Sequence, residues 1–375
     1  MDQVGIMRIL ISFYSPWWNA PAYYAVTLAK GLADSGHDVI FLGQEGTPVI
    51  EKINHYAIPY RTAPLQSVRP DRIMRSIGEI KKLVKSFHPD IINNHSSQDF
   101  SCTASASWWF PGEIPVIRTR GDHLAPNKNY FNKWLYNHFA DHIIFPSEIA
   151  RKRSLLNVPV NIERTSVIYS GLDIAEFRSN IPDGIVRSRF SIDSTTPLIG
   201  MVSRLSPVKG HDNFLEMAKL VLNARNDVKF VISGEDAQIT KNELKQKIEA
   251  LGIGDKVLLF DKVPDQRMII ADLDIGIIAS QDSEMICRVA AEFMALSKPL
   301  VVTRVNVLPE MIEDGVTGFV CDPKNPREMA SNVLRLLSNQ GLRIQMGTAG
   351  LQRALKLYDI NVFVSETVKV YQKVY

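Results

Sequence analysis

Short apolar runs alternate with stretches of helical periodicity along the whole chain. Residues 7–13 form the first apolar run, apolar side chains then recur at helical spacing from Pro21, and residues 39–42 form a second run. A strand, a helix and a strand joined by short turns are typical of a right-handed parallel unit. The pattern therefore predicts an α/β protein built on parallel sheets.

The alternation occurs in two blocks. The first block continues with predicted helices at 71–87, 128–139 and 148–156 and strands at 90–94, 115–119, 142–145 and 166–169. The second block predicts strands at 198–203, 228–233, 256–260, 273–279 and 299–303, and helices at 211–223, 240–251, 265–271, 287–296 and 326–338. Residues 173–195 are the predicted linker, and residues 361–375 a last helix. Two doubly wound domains imply a cleft, and such sheets bind ligands at the carboxyl ends of their strands.

Residues 279–310 combine candidate chemistry with a strand-to-helix transition. Glu284 follows the apolar run 275–279, and Glu292 lies eight residues later within a predicted helix. The first free N–H groups of that helix would lie between the two carboxylates, and a helix N-terminus favours anions. Those groups belong to residues near Ile286, Cys287 and Arg288. A sugar nucleotide fits this layout, but acidic residues near a helix start also occur for capping alone.

A basic loop follows the predicted strand 198–203. Arg204 and Lys209 lie five residues apart in this loop, which Pro207 and Gly210 delimit. Two cations at the carboxyl end of a parallel strand are placed to stabilise a leaving diphosphate. A solvated loop with incidental basic residues is the alternative interpretation.

These residues stand in motifs that resemble the glycosyltransferase group 1 family. The pair Glu284 and Glu292 is followed by Lys298-Pro299-Leu300-Val301 and Leu308-Pro309-Glu310, and residues 200–210 read Gly-Met-Val-Ser-Arg-Leu-Ser-Pro-Val-Lys-Gly. Further matches are residues 168–173 and 314–319, in the expected order. The family consists of retaining enzymes of the GT-B fold, in which two Rossmann-like domains face a cleft. We therefore expect that fold and a nucleotide-sugar donor.

The resemblance also implies roles for individual residues. It assigns Arg204 and Lys209 to the donor diphosphate, Glu284 to the sugar and Glu292 to the ribose. The other donor-binding residues that we expect are Ser203, Gly234, Val263, Ile286, Cys287 and Arg288. In this family, backbone groups around Val263 would contact the base. Backbone contacts leave little trace in the side chains, so the donor can be a UDP-, a GDP- or an ADP-sugar.

The family pattern divides the chain into an acceptor-binding domain (1–172), a nucleotide-sugar-binding domain (173–358) and a helix (359–375) that crosses back to the first domain. The acceptor side departs from many relatives. Trp18-Asn19-Ala20-Pro21 stands where they have a Gly-Gly pair, and Gly121 stands where they have a His facing the donor sugar. The acceptor-side candidates are Asn19, His95, Asp99, Arg120, Asp122 and His123.

Composition and motif spacing exclude several classes of protein. The 375 residues, 45% hydrophobic and 22% charged, are those of a globular protein, and no apolar run approaches the ~18 residues that span a bilayer. The 3 cysteines show no metal-ligand spacing and indicate a reducing compartment. Asp272-Leu273-Asp274 has a spacing that some glycosyltransferases use for a metal, but it leads straight into an apolar strand. We expect no required metal or cofactor. The sequence has neither a Walker loop nor a Gly-x-Gly-x-x-Gly motif, which argues against an ATPase and against a dehydrogenase.

The net charge of +3 is too small to indicate nucleic-acid binding. Residues 1–172 hold 18 basic and 14 acidic side chains, so the basic excess lies there. Part of it crowds one predicted helix, 71–87, beside an apolar stripe. These basic residues are Arg69, Arg72, Arg75, Lys81, Lys82 and Lys85. They are either a solvated face or a surface for an anionic membrane or phosphorylated glycolipid.

The combined expectation is a cytoplasmic, metal-independent retaining glycosyltransferase. It would use a nucleotide sugar and a glycan or glycolipid acceptor such as a lipopolysaccharide precursor, with peripheral association at the inner face of the membrane. Two alternatives share the architecture. One is a nucleotide-sugar 2-epimerase, and the other is a non-catalytic nucleotide-sugar-binding relative.

Overall fold

A computed structural model describes residues 5–65, 69–97, 99–110, 114–122, 124–182, 184–282 and 284–375. The chain forms two compact units, one of Met1–Gly171 with Asp359–Tyr375 and one of Leu172–Tyr358. The boundary expected after residue 172 therefore falls one residue earlier.

Thirteen strands occur in the described residues: β1 (Arg8–Ser12), β2 (Asp38–Gly43), β3 (Tyr60–Thr62), β4 (Ile91–Asn94), β5 (Val116–Thr119), β6 (His142–Phe145), β7 (Thr165–Val167), β8 (Leu198–Val202), β9 (Lys229–Ser233), β10 (Val257–Phe260), β11 (Ile275–Ile278), β12 (Leu300–Thr303) and β13 (Gly318–Cys321).

Sixteen α-helices occur in the same residues: α1 (Ala20–Asp34), α2 (Pro48–His55), α3 (Pro70–Phe87), α4 (Phe100–Trp109), α5 (Tyr130–Phe139), α6 (Glu148–Asn157), α7 (Ile174–Arg178), α8 (Ile185–Arg189), α9 (His211–Ala224), α10 (Lys241–Ala250), α11 (Arg267–Ile270), α12 (Arg288–Ala295), α13 (Leu308–Met311), α14 (Pro326–Leu337), α15 (Gln340–Leu357) and α16 (Ile360–Val374). Short 3-10 helices lie at Ile162–Arg164 and Pro207–Lys209.

The first unit is built on a 7-stranded parallel sheet in the order β3-β2-β1-β4-β5-β6-β7. Leu10 of β1 lies opposite Ile40 of β2 and Ile92 of β4. The strands β4, β5 and β6 are buried along their length, as expected for a parallel sheet covered on both faces by helices. The strand order reverses between β1 and β4, and α/β sheets form a ligand crevice at such a reversal.

Helix α16 packs within the first unit, against α1. Its Phe363 ring lies against Gly171 and 4.7 Å from the Tyr24 ring, and a Cβ at Gly171 would collide with it. Farther along α16, the Tyr371 hydroxyl accepts a hydrogen bond of 2.7 Å from the Asn93 amide at the end of β4. The segment Asp359–Tyr375, which follows the second unit in the sequence, thus contributes to the core of the first unit.

The second unit is built on a 6-stranded parallel sheet in the order β10-β9-β8-β11-β12-β13. Its core contains apolar side chains from β8, β9, β11, α9 and α14, which pack together. Gly276 of β11 lies under the Phe293 ring of α12, where a Cβ would have no room. The strand order reverses between β8 and β11, so this unit has its own candidate crevice at the ends of those strands.

The apolar pattern does not reveal every element. The strand β3 has only three residues and α4 is a Ser- and Ala-rich segment, so neither shows a clear period. No strand was predicted at Gly318–Cys321, which pairs in parallel with β12. The predicted linker contains α7 and α8, and α15 follows the helix predicted at 326–338.

The two aspartates with metal-like spacing attach the linker to the second unit. The Asp272 carboxylate accepts hydrogen bonds from the backbone N–H groups of Val186 (2.8 Å) and Arg187 (2.9 Å) at the start of α8. The Asp274 carboxylate accepts one of 2.8 Å from the Leu198 N–H and pairs with Arg187. Contacts at a helix–strand junction account for both carboxylates.

In the described part of the chain, no helix has the length and apolar character needed to cross a bilayer.

The packing of α16 predicts a stability effect in the first unit. Truncation of a fully buried Phe removes buried area and leaves a cavity, so Phe363→Ala should lower the free energy of unfolding by about 3–5 kcal/mol. Urea or thermal unfolding would measure it. The exposed Lys369→Ala on the same helix should change stability by less than about 0.5 kcal/mol. Equal effects of the two substitutions would contradict the packing role.

Candidate functional site

A cavity of about 250 Å³ lies in the second unit at the carboxyl ends of β8, β9 and β11. This is the crevice that the reversal of strand order provides. The predicted donor-side residues that line it are Ser203, Arg204, Lys209, Gly234, Glu284, Ile286, Cys287, Arg288 and Glu292. Val263 is not among the lining residues, but Lys262 and Gln266 on either side of it are. The structure thus brings together residues that lie up to 89 positions apart, from Ser203 to Glu292.

Two glycines let the cavity loops approach closely. Gly210 has a positive φ of 75°, and a Cβ there would collide with the Ala279 carbonyl oxygen. A Cβ at Gly234 would collide with the Ser203 carbonyl oxygen. The loop after β8 therefore lies directly against the ends of β9 and β11, which places the two basic side chains beside the acidic loop.

Glu284 is a buried carboxylate with two side-chain partners. Lys209 forms an ion pair with it, and the Ser280 hydroxyl donates a hydrogen bond of 2.6 Å to the same oxygen, Oε1. The Glu284 carbonyl accepts a bond of 3.0 Å from the Val307 N–H, which fixes the backbone. Since a buried carboxylate is costly without a counter-ion, the ion pair with Lys209 offsets the cost of burying Glu284.

Glu292 is the second buried carboxylate of the cavity. Burial raises its pKa, and the Arg288 guanidinium, whose Nε lies 2.7 Å from Oε1, opposes that rise. Helix α12 begins at Arg288, so Ile286 and Cys287 precede the helix rather than opening it. The first-turn N–H groups thus belong to residues 288–290. Because the Cys287 side chain makes no capping hydrogen bond, these N–H groups are suited to an anion.

Arg204 differs from Lys209 in its surroundings. Its side chain is exposed, and none of the described residues pairs with it. An unpaired guanidinium at the cavity rim, one loop away from the α12 N-terminus, is suited to bidentate binding of a phosphate group.

Gln266 is a cavity residue that the sequence did not single out. Its side-chain oxygen is buried and has no partner among the described residues. An unsatisfied buried amide oxygen costs about 1–3 kcal/mol, which a donor group of a ligand would offset. The only sequence signal for Gln266 is its position directly after Pro264-Asp265. The pattern of apolar residues does not show that its side chain lines the cavity.

A second cavity, of about 330 Å³, lies in the first unit at the carboxyl ends of β4 and β5. Two of the predicted acceptor-side residues, Arg120 and Asp122, line it. Its other walls are both polar and apolar. They are formed by Ser97, Phe100, Leu124, Ala125, Pro126, Asn127, Asn132, Leu135 and Tyr136. This combination of a carboxylate, amides and apolar surface suits a polyhydroxylated ligand.

Two buried arginines hold Asp122. Arg118 and Arg120 donate to its Oδ2 at 2.9 and 2.7 Å, and the Ser97 hydroxyl donates to the same oxygen at 2.8 Å. No described residue donates to Oδ1, so that oxygen is available to a ligand hydroxyl. The Arg120 guanidinium also reaches Tyr136 at 3.2 Å. Arg118 was not predicted as a site residue, although two arginines at the end of an apolar strand were a visible signal.

The remaining acceptor-side candidates have structural contacts instead. Asn19 caps α1 by accepting a bond of 2.9 Å from the Ala22 N–H. His95 is buried, and burial, aided by the charge of Arg118, lowers its pKa to about 3. Asp99 is buried and accepts hydrogen bonds from Ser12 (2.8 Å) and Asn94 (3.0 Å). None of these three lines the second cavity, and His123 lies outside the described residues.

Two family models match the chain. Residues 185–353 match the model of Glycosyl transferases group 1, and residues 22–176 match that of Glycosyltransferase Family 4. Both models are of glycosyltransferases, and the group 1 match covers residues 185–353 of the 375. The family prediction is confirmed, and so is the fold prediction, since two parallel-sheet α/β units are what GT-B glycosyltransferase structures contain.

Individual relatives are similar over different lengths. Alpha-D-kanosaminyltransferase of Streptomyces kanamyceticus is 27% identical over 191 residues, which are 50% of this chain and 48% of the relative, so the match spans about half of each. A glycosyltransferase from Rickettsia africae ESF-5 has the same fold with a TM-score of 0.87 and 20% identity, over 99% of both chains. Anabaena Alr3699/HepE in complex with UDP gives a TM-score of 0.83 and 20% identity, over 98% of this chain and 100% of that one.

The Arg204 guanidinium, which lines the 250 Å³ cavity and pairs with none of the described residues, predicts that its removal weakens diphosphate binding selectively. Arg204→Ala should weaken UDP, GDP or ADP binding about tenfold or more, because a charge-assisted hydrogen bond is lost, and leave binding of the matching nucleoside unchanged. Isothermal titration calorimetry with both ligands would test this. Arg225→Ala, which removes a surface guanidinium paired with Asp227, is the matched control. Equal binding of nucleoside mono- and diphosphate to the wild type would contradict the assignment.

The buried amide oxygen of Gln266 predicts a role in nucleoside binding. Gln266→Leu keeps the approximate volume but removes both hydrogen-bonding groups, so nucleoside affinity should fall about tenfold. Pyrophosphate affinity should stay the same. If calorimetry showed wild-type nucleoside affinity in this variant, the oxygen would belong to packing rather than to the ligand.

Proposed function

We propose that this protein is a retaining glycosyltransferase that moves a sugar from a nucleotide-sugar donor to a hydroxyl of a glycan or glycolipid. The observation that carries the proposal is the cavity of the second unit, where two buried carboxylates, Glu284 and Glu292, lie with the N-terminus of α12 and the Arg204 guanidinium, which pairs with none of the described residues. This is the order of groups that a sugar, a diphosphate and a ribose require.

Each part of the donor has a matching group in that order. Glu284 would accept hydrogen bonds from sugar hydroxyls, and Glu292 would accept them from the ribose. The first-turn N–H groups of α12, with Arg204 and Lys209, would bind the diphosphate. UDP is the first nucleotide to test, because the structurally similar Anabaena protein has been solved with UDP and with UDP-glucose. GDP and ADP remain the alternatives.

The cavity chemistry favours attack from the face that the diphosphate leaves. A double-displacement route would need a free nucleophile beside the sugar. Glu284 is already paired with Lys209, and burial raises the pKa of the Cys287 thiol well above its ordinary value, which disfavours the thiolate. We infer that the acceptor hydroxyl attacks directly, with its proton passing to an oxygen of the departing diphosphate. Arg204 and Lys209 stabilise the charge that develops there.

The second cavity is the proposed acceptor site. Asp122 Oδ1 would accept a hydrogen bond from an acceptor hydroxyl, and the Asn127 and Asn132 side chains line the same space. Phe100, Leu124 and Leu135 would contact the apolar face of a sugar ring. We propose a cell-envelope glycan, such as a lipopolysaccharide precursor, as the acceptor.

Peripheral association with the inner face of the membrane belongs to the same proposal. Helix α3 and the residue before it expose five cations, Arg69, Arg72, Arg75, Lys82 and Lys85. Arg69 pairs with Asp71 and Lys82 with Glu79, which leaves three exposed cations without an acidic partner among the described residues. Each basic residue near an anionic bilayer adds roughly 1 kcal/mol. A phospholipid-embedded acceptor would then be presented to the unit that binds it.

Incubation of the protein with UDP-glucose, GDP-mannose and ADP-glucose distinguishes the proposal from its two alternatives. A transferase releases nucleoside diphosphate slowly even without an acceptor, an epimerase returns an altered nucleotide sugar, and a non-catalytic relative does neither. Product analysis by mass spectrometry and NMR separates these outcomes. A ligand-induced rise in melting temperature identifies the nucleotide beforehand, because a ligand that binds only the folded state stabilises it.

The role of Glu284 gives a sharp prediction for activity. Glu284→Gln should reduce turnover about 10²-fold or more, because a hydrogen bond that strengthens in the transition state is weakened, while UDP affinity stays nearly unchanged. Glu216→Gln, on the exposed face of α9, is the matched control and should have wild-type activity. If Glu284 served only as counter-ion to Lys209, the variant would instead bind UDP more tightly at wild-type turnover.

A further inference from the structure

Aromatic side chains are exposed together on the first unit. Trp108 and Trp109 end α4 at 67% and 56% exposure, and Tyr130 and Phe131 begin α5 at 84% and 55%. The Trp134 ring connects the two helices, with its centroid 6.3 Å from that of Trp108 and 6.1 Å from that of Phe131. We refer to these five residues as the aromatic face. Soluble proteins rarely expose so many large apolar side chains side by side, so such a surface indicates an interaction site.

Two rings of the aromatic face pack on the core of the first unit. The Trp108 ring packs edge-on against Phe139, with centroids 5.8 Å apart, and Trp134 lies 4.8 Å from the same buried ring. Trp108 and Trp134 are therefore anchored on a buried ring of α5. A surface that keeps its shape needs little additional ordering when it binds a partner.

Cations surround the aromatic face. Helix α3 packs against α4, and the Lys81 ammonium lies over the Trp109 ring. Lys128 and Lys133 are exposed before and within α5. Together with the cations of α3 that have no acidic partner among the described residues, these charges favour a positive potential in the region.

We propose that the aromatic face inserts into the interfacial layer of an anionic phospholipid bilayer while the flanking cations bind lipid phosphates. Trp and Tyr side chains favour this layer because their rings have an apolar body and a polar group. Lys and Arg beside them complement anionic headgroups, as in helices that lie on membranes. The inference rests on the peripheral association proposed above, and it adds an apolar, salt-resistant component to it.

The charge pattern favours a lipid surface over a second copy of the chain. A symmetric dimer through the aromatic face would bring the same cationic helices, α3 and its copy, close to each other. Like charges at an interface oppose association. An anionic bilayer instead supplies an opposite charge and an apolar layer at the same surface.

Salt separates the two components of binding. The contribution of the α3 cations is screened as ionic strength rises, because the Debye length falls to about 3 Å at 1 M salt. Burial of indole and phenol rings is not screened. We therefore expect the wild type to bind phosphatidylglycerol-containing vesicles strongly at low salt and to retain part of that binding at high salt.

Cosedimentation with vesicles of phosphatidylcholine, with or without phosphatidylglycerol, tests the proposal. The double variant Trp108→Ser/Trp109→Ser should lose the salt-resistant binding, with a partition coefficient reduced about tenfold or more. Tyr130→Ser/Phe131→Ser should also lose the salt-resistant binding. This variant leaves α4 unchanged, so it still tests the proposal if the first variant misfolds. Arg72→Ala/Arg75→Ala should lose mainly the salt-sensitive part. Ile344→Ser, which removes an exposed apolar side chain from α15 of the second unit, should bind as the wild type does.

Three results would overturn the proposal. They are absence of wild-type binding to any vesicle, wild-type binding of both aromatic variants at high salt, and a lipid-free dimer in sedimentation velocity that either aromatic variant dissociates. UDP-sugar hydrolysis, measured on the same preparations, keeps the transferase proposal separate. If the protein hydrolyses UDP-sugar but does not bind vesicles, only the proposed membrane-binding surface is refuted. If it binds vesicles without any donor hydrolysis, only the transferase proposal is refuted.

Discussion

A buried ion pair between Glu284 and Lys209 is the constraint on which the candidate donor site depends. The two residues come from the loops after β11 and β8, strands that are neighbours where the order of the second sheet reverses. A carboxylate buried at a strand end requires a counter-ion, and Gly210 lets the basic loop come close enough to provide one. The same approach places Arg204 and the α12 N-terminus on a common cavity. Fold topology and electrostatics therefore determine the site jointly.

The first unit also buries charged side chains at the end of a strand, but there the buried side chains are cations. Arg118 and Arg120 are buried at the end of β5, and Asp122 is the carboxylate that both of them contact. Because three donors converge on one oxygen of Asp122, its position is fixed, while none of the residues that the structure describes donates to the other oxygen. A preorganised acceptor of hydrogen bonds is what a site for a sugar hydroxyl needs.

The proposed activity and the proposed membrane surface make different demands on the protein. The proposed donor cavity needs fixed charges in a partly buried space, and pairs such as Arg288 with Glu292 lie there. The aromatic face needs apolar side chains in water, which costs solubility unless a partner covers them. Both demands are met without a membrane-crossing helix in the described residues. Charge at the surface and charge in the cavity thus serve separate purposes.

The sequence alone determined the parallel α/β class, the order of most strands and helices, and the motif with Glu284 and Glu292, because those features depend on local apolar period and short spacing. Only the tertiary structure decided which charges meet. The contacts of Lys209 with Glu284 and of Ser97 with Asp122 depend on strand order, and no local period encodes either. The same holds for Gln266, whose inward side chain follows from how its loop packs. Short elements such as β3 escaped prediction because a three-residue strand gains its stability from its neighbour in the sheet rather than from its own sequence.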